Sequence, residues 1–161
     1  MIRKISPNSD FAVYERNFGI VHIGFEYGNI VSLHITQDSI NSKKGNALTD
    51  KTVLQLEEYF DGTRKTFDLP LAPLGTVFQQ KIWEAMSSIP YGETKSYGYI
   101  AALAGNPKAA RAAGGACNRN PIQIIIPCHR VIGSNGSLTG YASGLDMKQK
   151  LLEFESRNSK I

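Results

Sequence analysis

The sequence predicts an α+β chain in two parts: a small antiparallel sheet with one helix over residues 1–74, and a mainly helical part containing a helix-turn-helix over residues 75–161. Three observations carry this expectation. The first third alternates apolar and polar residues like paired strands, the remainder repeats apolar residues at helical spacing, and the proline-punctuated stretch Leu69 to Gly75 stands between them.

Phe18 to Phe25 and Asn29 to Thr36 are rich in β-branched and aromatic residues, and Glu26-Tyr27-Gly28-Asn29 between them has the turn chemistry of a hairpin. Phe11 to Glu15 adds a third strand. The polar stretch Asp38 to Asp50 reads as a loop. Thr49 or Asp50 then caps a helix whose apolar face is Val53, Leu54, Leu56, Tyr59 and Phe60 and which stops at Asp61-Gly62. Lys65 to Leu69 reads as a last strand before Pro70 and Pro73 break regular structure.

The second part opens on Thr76-Val77-Phe78-Gln79, a capping-box pattern, and Val77, Phe78, Ile82, Trp83 and Met86 follow at helical spacing until Pro90-Tyr91-Gly92. Thr94 or Ser96 caps a short helix, Tyr97 to Ala104. Gly105 breaks it, Asn106 caps the next helix, and Pro107 takes the first position, where a missing N–H costs nothing. Helix, glycine turn, helix is the spacing of a helix-turn-helix. The second of these helices, Lys108 to Cys117, carries only small side chains apart from Lys108 and Arg111. Such a helix either packs against a neighbouring helix or slips into a narrow nucleic-acid groove with Arg111 extended. Ile122 to Ile126 suits a buried strand or an extended core segment that Pro127 stops. Ser134-Asn135-Gly136 is a turn and Gly140 to Gly144 a glycine-bracketed loop. Leu145 to Glu155 closes the chain as an amphipathic helix with Leu145, Lys148, Leu151, Leu152 and Glu155 along one side, and the tail from Ser156 to Ile161 is expected to fray.

Composition narrows the function. With 42% hydrophobic and 20% charged residues the chain can offset the entropy of ordering, so disorder is excluded as the whole answer. No apolar run approaches the ~20 residues that cross a bilayer, and the start lacks the apolar core of a secretory signal; a cytoplasmic protein with no membrane partner is expected. Cys117 and Cys128 are too few for a disulfide framework and form no zinc set with the three histidines, so no metal is expected. No phosphate- or dinucleotide-binding fingerprint occurs, and no cofactor is expected. Residues 1–74 carry 8 Lys/Arg and 9 Asp/Glu, whereas residues 75–161 carry 10 and 5. From Glu93 to Asp146 there are five basic residues (Lys95, Lys108, Arg111, Arg119, Arg130) and no acidic residue between. A segment free of carboxylates does not repel a polyanion, which makes nucleic acid the first partner to consider.

Cys128 stands at the end of the apolar segment, with Pro127 before it and His129 and Arg130 after it. A free thiol titrates near ~8.5, and a nearby His or Arg lowers that value and raises the thiolate fraction that attacks electrophiles. A Cys-His dipeptide alone is weak evidence, because adjacent side chains of an extended segment point to opposite faces.

The combination is more specific. Ile126-Pro127-Cys128-His129-Arg130-Val131, with Asn118-Arg119-Asn120-Pro121 upstream and Gly140-Tyr141 downstream, resembles the active-site signature of the O6-alkylguanine-DNA alkyltransferases. Gly75 to Gln80, Tyr91-Gly92, Ser96-Tyr97 and Ala104 to Ala112 match it as well, so the resemblance runs almost continuously over residues 75–155. Residues 1–74 have a compatible layout, resembling the small RNase H-like sheet-and-helix domain of that family. The resemblance implies that Cys128 takes the alkyl group from O6 of guanine and keeps it. It implies that His129 deprotonates the thiol through a water, that Glu155 orients the imidazole, and that Tyr97 donates a proton to N3 of the leaving base. Arg111 would fill the stack after nucleotide flipping, with Ser96, Ala109 and Ala110 against DNA and Lys108, Arg119 and Arg130 as candidate phosphate neighbours, Arg130 being mainly structural in the preferred reading. Asn120 resembles a hinge asparagine, while Val131, Ile132, Tyr141, Ala142 and Ser143 would line the base pocket and Cys117 would face it. The partner so implied is duplex DNA containing O6-alkylguanine, met through the minor groove by a monomer. Three rival readings stay open: a lesion-binding relative, which would lack the cysteine; a helix-turn-helix regulator, which leaves Cys128 idle; and a cysteine hydrolase, which leaves the Arg111 helix unexplained.

Overall fold

The computed structural model describes residues 9–38 and 41–160. They separate into two compact units, one running to Leu74 and including Pro121–Gln123, the other comprising Gly75–Asn120 and the chain from Ile124 onward.

In the first unit, β1 (Asp10–Arg16), β2 (Gly19–Glu26) and β3 (Asn29–Thr36) form an antiparallel sheet in the order β1-β2-β3. The β2–β3 connection is the two-residue turn Tyr27-Gly28, with φ of 47° and 76°, the pair of left-handed residues that a tight hairpin requires. Ala12, Val21, Ile23 and Leu33 are buried with Val53, Leu56 and Tyr59 of α1 (Ala47–Phe60). Two expectations for this helix are corrected. Its cap is Asn46, not Thr49 or Asp50: the Asn46 side chain accepts from the Thr49 N–H while Thr49 Oγ1 accepts from the Asn46 N–H, a capping box closed by threonine. Leu54 is 54% exposed and off the apolar face. Phe60 instead stacks on Phe18 at 4.4 Å.

The predicted strand Lys65 to Leu69 does not form. Gln55 on α1 accepts from the Asp68 N–H at 2.9 Å and donates to the Asp68 carbonyl at 3.2 Å, so a side chain takes the backbone groups that a ladder would have used. The chain rejoins β3 only at Leu71, where Ile30 donates to Pro70 O and accepts from Ala72 N. The apolar run Ile122 to Ile126 is likewise not a strand. Ile122 alone bridges to Leu33, after which residues 123–125 turn and Ile124 takes φ 68°.

The second unit begins with α2 (Val77–Ser87), capped by the predicted Thr76–Gln79 box. Ile82, Trp83 and Met86 are buried, although Val77 is exposed. β4 (Lys95–Ser96) leads into α3 (Tyr97–Leu103), whose cap is Ser96. The next helix, α4 (Ala110–Asn118), starts later than expected and lacks a side-chain cap. Asn106 does not cap it; Asn106 to Ala109 forms a turn closed by Ala109 N donating to Asn106 O, with Pro107 at the second position its fixed φ favours. α3, turn and α4 retain the helix-turn-helix layout, and Trp83 Nε1 ties α2 to α4 by donating to Ala116 O at 2.9 Å.

Cys128–Arg130 is a single 3₁₀ turn, not the end of an extended segment. β5 (Val131–Ile132) follows and pairs parallel with β4, which sets the start of α3 beside the chain leaving Cys128. α5 (Leu145–Asn158) reaches beyond Glu155, so that of the tail expected to fray Ser156 to Asn158 are helical and Ser159 and Lys160 form a turn, while Ile161 lies outside the described residues. Asn158 Nδ2 donates to Phe154 O, and Ser159 packs so closely on Gly92 that a Cβ there would lie 2.6 Å away. Gly92 also has φ 80°, so only glycine suits that position. Among the described residues no helix is long and apolar enough to cross a membrane.

Candidate active site

Cys128 is held from several sides. Pro127 and the 3₁₀ turn fix its backbone, with Arg130 N donating to Pro127 O and Cys128 N to Ile126 O. Asn120, two residues past the end of α4, is buried and uses one amide nitrogen twice: it donates to Ile126 O at 2.7 Å and to Cys128 Sγ at 3.2 Å. A donor on sulfur favours the thiolate over the thiol. The end of the small-residue helix is thereby joined to the cysteine.

His129 has no exposed surface, and its Nε2 is 2.7 Å from Glu155 Oε1. Burial lowers the His129 pKa, outweighing the pull of Glu155 in the other direction. Burial pushes the Glu155 carboxyl up, but the hydrogen bonds from His129 and Arg130 more than offset it and hold it well below the usual carboxylate range. A neutral imidazole facing an ionised carboxylate donates from Nε2, which leaves the lone pair on Nδ1. Nδ1 is buried and has no hydrogen-bond partner among the described residues. The pair is thus a base with its acceptor atom free. Arg130 completes the cluster, donating from Nε and Nη2 to Glu155 at 2.8 and 2.9 Å and from Nη1 to Ile89 O at 2.7 Å. So engaged, and 6% exposed, Arg130 is not a phosphate neighbour. The Gly92 N–H adds a fourth donor to Glu155 at 3.3 Å.

Tyr97 donates to Thr139 O at 2.9 Å, while Lys148 Nζ lies 3.5 Å from the hydroxyl oxygen. Burial raises its pKa, opposed by the hydrogen bond that the Thr139 hydroxyl donates to the phenol oxygen at 3.3 Å and reinforced by charge on Cys117 or Cys128, so the phenol keeps its proton. Cys117 is buried as well, and burial pushes its thiol up to about 12; it is inert as a nucleophile near neutrality.

An open cleft of 590 Å³ is lined by Ser96, Tyr97, Gly98, Ala110, Arg111, Gly114, Gly115, Asn118, Gly133, Ser134, Thr139 and Gly140. Of the expected site residues it gathers Ser96, Tyr97, Ala110 and Arg111. Val131, Cys117 and Tyr141 are buried and Ala142 and Ser143 exposed, and none of these five lines it. Lys108 and Arg119 are exposed, and Ala109 is half-buried as the residue before α4. Sequence reasoning missed the wall formed by Gly133, Ser134 and Thr139, and it missed Lys148, whose signal was a lysine on the apolar side of α5.

Residues 77–157 match the family model described as 6-O-methylguanine DNA methyltransferase, DNA binding domain, and residues 6–73 match its ribonuclease-like domain. A protein of Methanosarcina barkeri named methylated-DNA–protein-cysteine methyltransferase is 53% identical over 95% of this chain and 94% of its own length. One of the same name from Methanosarcina acetivorans is 65% identical over 63% of this chain, a match spanning 65% of that protein. The crystal structure of Mycobacterium tuberculosis O6-methylguanine methyltransferase superposes with a TM-score of 0.82 at 39% identity, covering 93% of this chain and 94% of that one. A second M. tuberculosis structure, in complex with DNA, has the same TM-score at 40% identity over 91% and 92%.

Proposed function

Because this chain belongs to the 6-O-methylguanine DNA methyltransferase family, we propose that it repairs O6-alkylguanine in duplex DNA by moving the alkyl group irreversibly onto Cys128. The observation that carries the assignment of the nucleophile is the free Nδ1 of a neutral, carboxylate-anchored His129, next in the chain to a thiol already held by Asn120.

The target atom lies inside the base stack, so the nucleotide leaves the duplex first, at a cost of a few kcal/mol. Arg111 in the cleft wall, on a helix slender enough for a minor groove, fills the gap. Residues 75–161 act as the DNA-binding and transfer domain, and the protein works as a monomer, with Lys108 and Arg119 on phosphates and Asn120 as the hinge. Val131, Tyr141, Ala142 and Ser143 bound the base, and Cys117 sets the space beside it. His129 takes the thiol proton through a bridging water. The thiolate displaces the base at the alkyl carbon: a carbon–sulfur bond forms as the carbon–O6 bond breaks. Tyr97 passes its proton to N3 so that guanine leaves neutral, help worth ~10²–10⁴-fold. O4-alkylthymine presents the same ether carbon and is a second substrate in this reading.

The product is a thioether, which none of the side chains around Cys128 is equipped to cleave, so each molecule reacts once. Intact mass after incubation with an oligonucleotide carrying O6-methylguanine tests this. One methyl gained per lesion lost supports it, and turnover beyond one equivalent or an unchanged mass overturns it.

A further inference from the structure

Residues 89–92 follow α2 and meet the buried Arg130–Glu155 pair three times. Ile89 O accepts from Arg130 Nη1 at 2.7 Å, the Gly92 N–H donates to Glu155 Oε2 at 3.3 Å, and the Tyr91 ring lies against the Arg130 guanidinium with its centroid 5.6 Å from Cζ. The turn is itself held from α5, since Gly92 packs on Ser159 and the Tyr91 hydroxyl interacts with the Asn158 side chain.

The bonds of Arg130 lie in the guanidinium plane: Nε and Nη2 reach Glu155 and Nη1 reaches Ile89 O. Such bonds fix the group within its plane and leave it able to rock out of it. A weakly hydrated planar cation is attracted to an aromatic face, and a ring within about 6 Å stops the rocking. Tyr91 supplies that ring. The consequence reaches the base, because Glu155 Oε1 is shared between His129 Nε2 at 2.7 Å and Arg130 Nη2 at 2.9 Å. A guanidinium tilted away leaves the carboxylate charge less compensated, which favours an imidazolium and takes the lone pair from Nδ1. The charged groups acting on His129 are Glu155 and Lys148 of α5 and Arg130 of its own turn, and Arg130 and Lys148 both disfavour the imidazolium. Cys128 is its neighbour in the chain, and Lys81 and Glu84 of α2, which packs on the same turn, are exposed. Tyr91 and Tyr141 stay neutral phenols, because burial raises both.

We propose that Tyr91 is a positioning residue for the base: its ring holds Arg130 in its bonds to Glu155, and through them holds the carboxylate that orients the His129 imidazole. This rests on the reading of His129 as the base.

Single-turnover transfer from an O6-methylguanine duplex, at saturating DNA and from about pH 6 to about pH 9, tests it. Tyr91→Leu should move the acid limb of the profile upward, so that its rate relative to wild type is about fivefold lower at the acid end and within about twofold at the alkaline end. Tyr91→Phe, which keeps the ring and loses the hydroxyl, should follow the wild-type profile within about twofold. A loss of the same size at every pH, no loss at all, or a Tyr91→Phe protein as slow as Tyr91→Leu overturns the proposal. In a His129→Gln background Tyr91→Leu should cost less than about twofold at any pH, because the base it serves is gone. A His129→Gln protein that transfers at the wild-type rate removes the base reading itself, and the proposal falls with it by a different and recognisable result. Should Tyr91→Leu lose its cooperative thermal transition, Tyr91→Met, which refills the space without an aromatic face, carries the same comparison.

Discussion

At the scale of single residues, the site depends on the ionised Glu155, which four donors converge on in a fully buried position. Glu155→Gln leaves Arg130 buried without its counter-charge, and breaking such a pair costs about 3–5 kcal/mol. Urea unfolding should register that loss together with slow alkyl transfer; a destabilisation under about 1 kcal/mol would mean Arg130 does not need the carboxylate. The same cluster sets a pH dependence. The folded protein resists protonating His129, whereas the unfolded chain takes up that proton at the ordinary value of 6.5, so stability is full above that value and falls as pH drops through it. Glu155, depressed on folding, adds a further loss below its ordinary 4.5. Unfolding midpoints measured downward from neutral pH should therefore fall, and His129→Gln should flatten the upper part of that fall; an unchanged slope in the variant removes His129 as its source. Cys128 and His129 were legible in the sequence because they are neighbours in a motif. The bond from Arg130 to Glu155 was not, because it joins positions 25 residues apart through packing.

At the scale of elements, the 3.6-residue and two-residue periods located β1 to β3, α1, α2, α3 and α5. The strand expected over Lys65 to Leu69 was misread because a side chain from another element, Gln55, takes the backbone hydrogen bonds at Asp68, and the run Ile122 to Ile126 because the chain turns at 123–125 with Ile124 at φ 68°. The small-residue character of α4 was visible, but its two roles were not separable without the cleft that Ala110, Gly114 and Gly115 line. Gly114 divides these roles experimentally. A Cβ there meets only the Tyr97 ring, at 3.8 Å, which is ordinary contact. Gly114→Ala should then stabilise the helix by about 0.5–1 kcal/mol. The same methyl narrows the cleft beside Tyr97, so duplex affinity should fall as the melting temperature rises. A rise in both would show that α4 does not approach DNA along this face.

At the scale of the whole chain, the two-part organisation follows from composition, since the proline-rich stretch and the shift in charge coincide near residue 74. The membership of Pro121–Gln123 in the first unit was not readable. It depends on Leu33 N donating to Pro121 O, Gln123 N donating to Leu33 O, and Ile35 N donating to Gln123 Oε1, the last between residues 88 positions apart. The charge imbalance makes a prediction about binding that motif recognition does not. A phosphate contact releases condensed counterions, so each one adds about 0.9 to the slope of log affinity against log salt. Lys108 and Arg119 are exposed cations of the second unit that bind no flipped base in the proposed mechanism. Lys108→Ala and Arg119→Ala should each weaken duplex binding alike for damaged and undamaged DNA and reduce the slope by about 0.9. Arg111 acts on the gap in the stack, so Arg111→Ala should slow repair of duplex far more than reaction with free O6-benzylguanine, which needs no flipping. Salt titrations of duplex affinity, set beside transfer rates on both substrates, read the two roles apart. Equal losses on both substrates for Arg111→Ala, or an unchanged slope for Lys108→Ala, would show that the excess positive charge of residues 75–161 is solvated surface and not a DNA footprint.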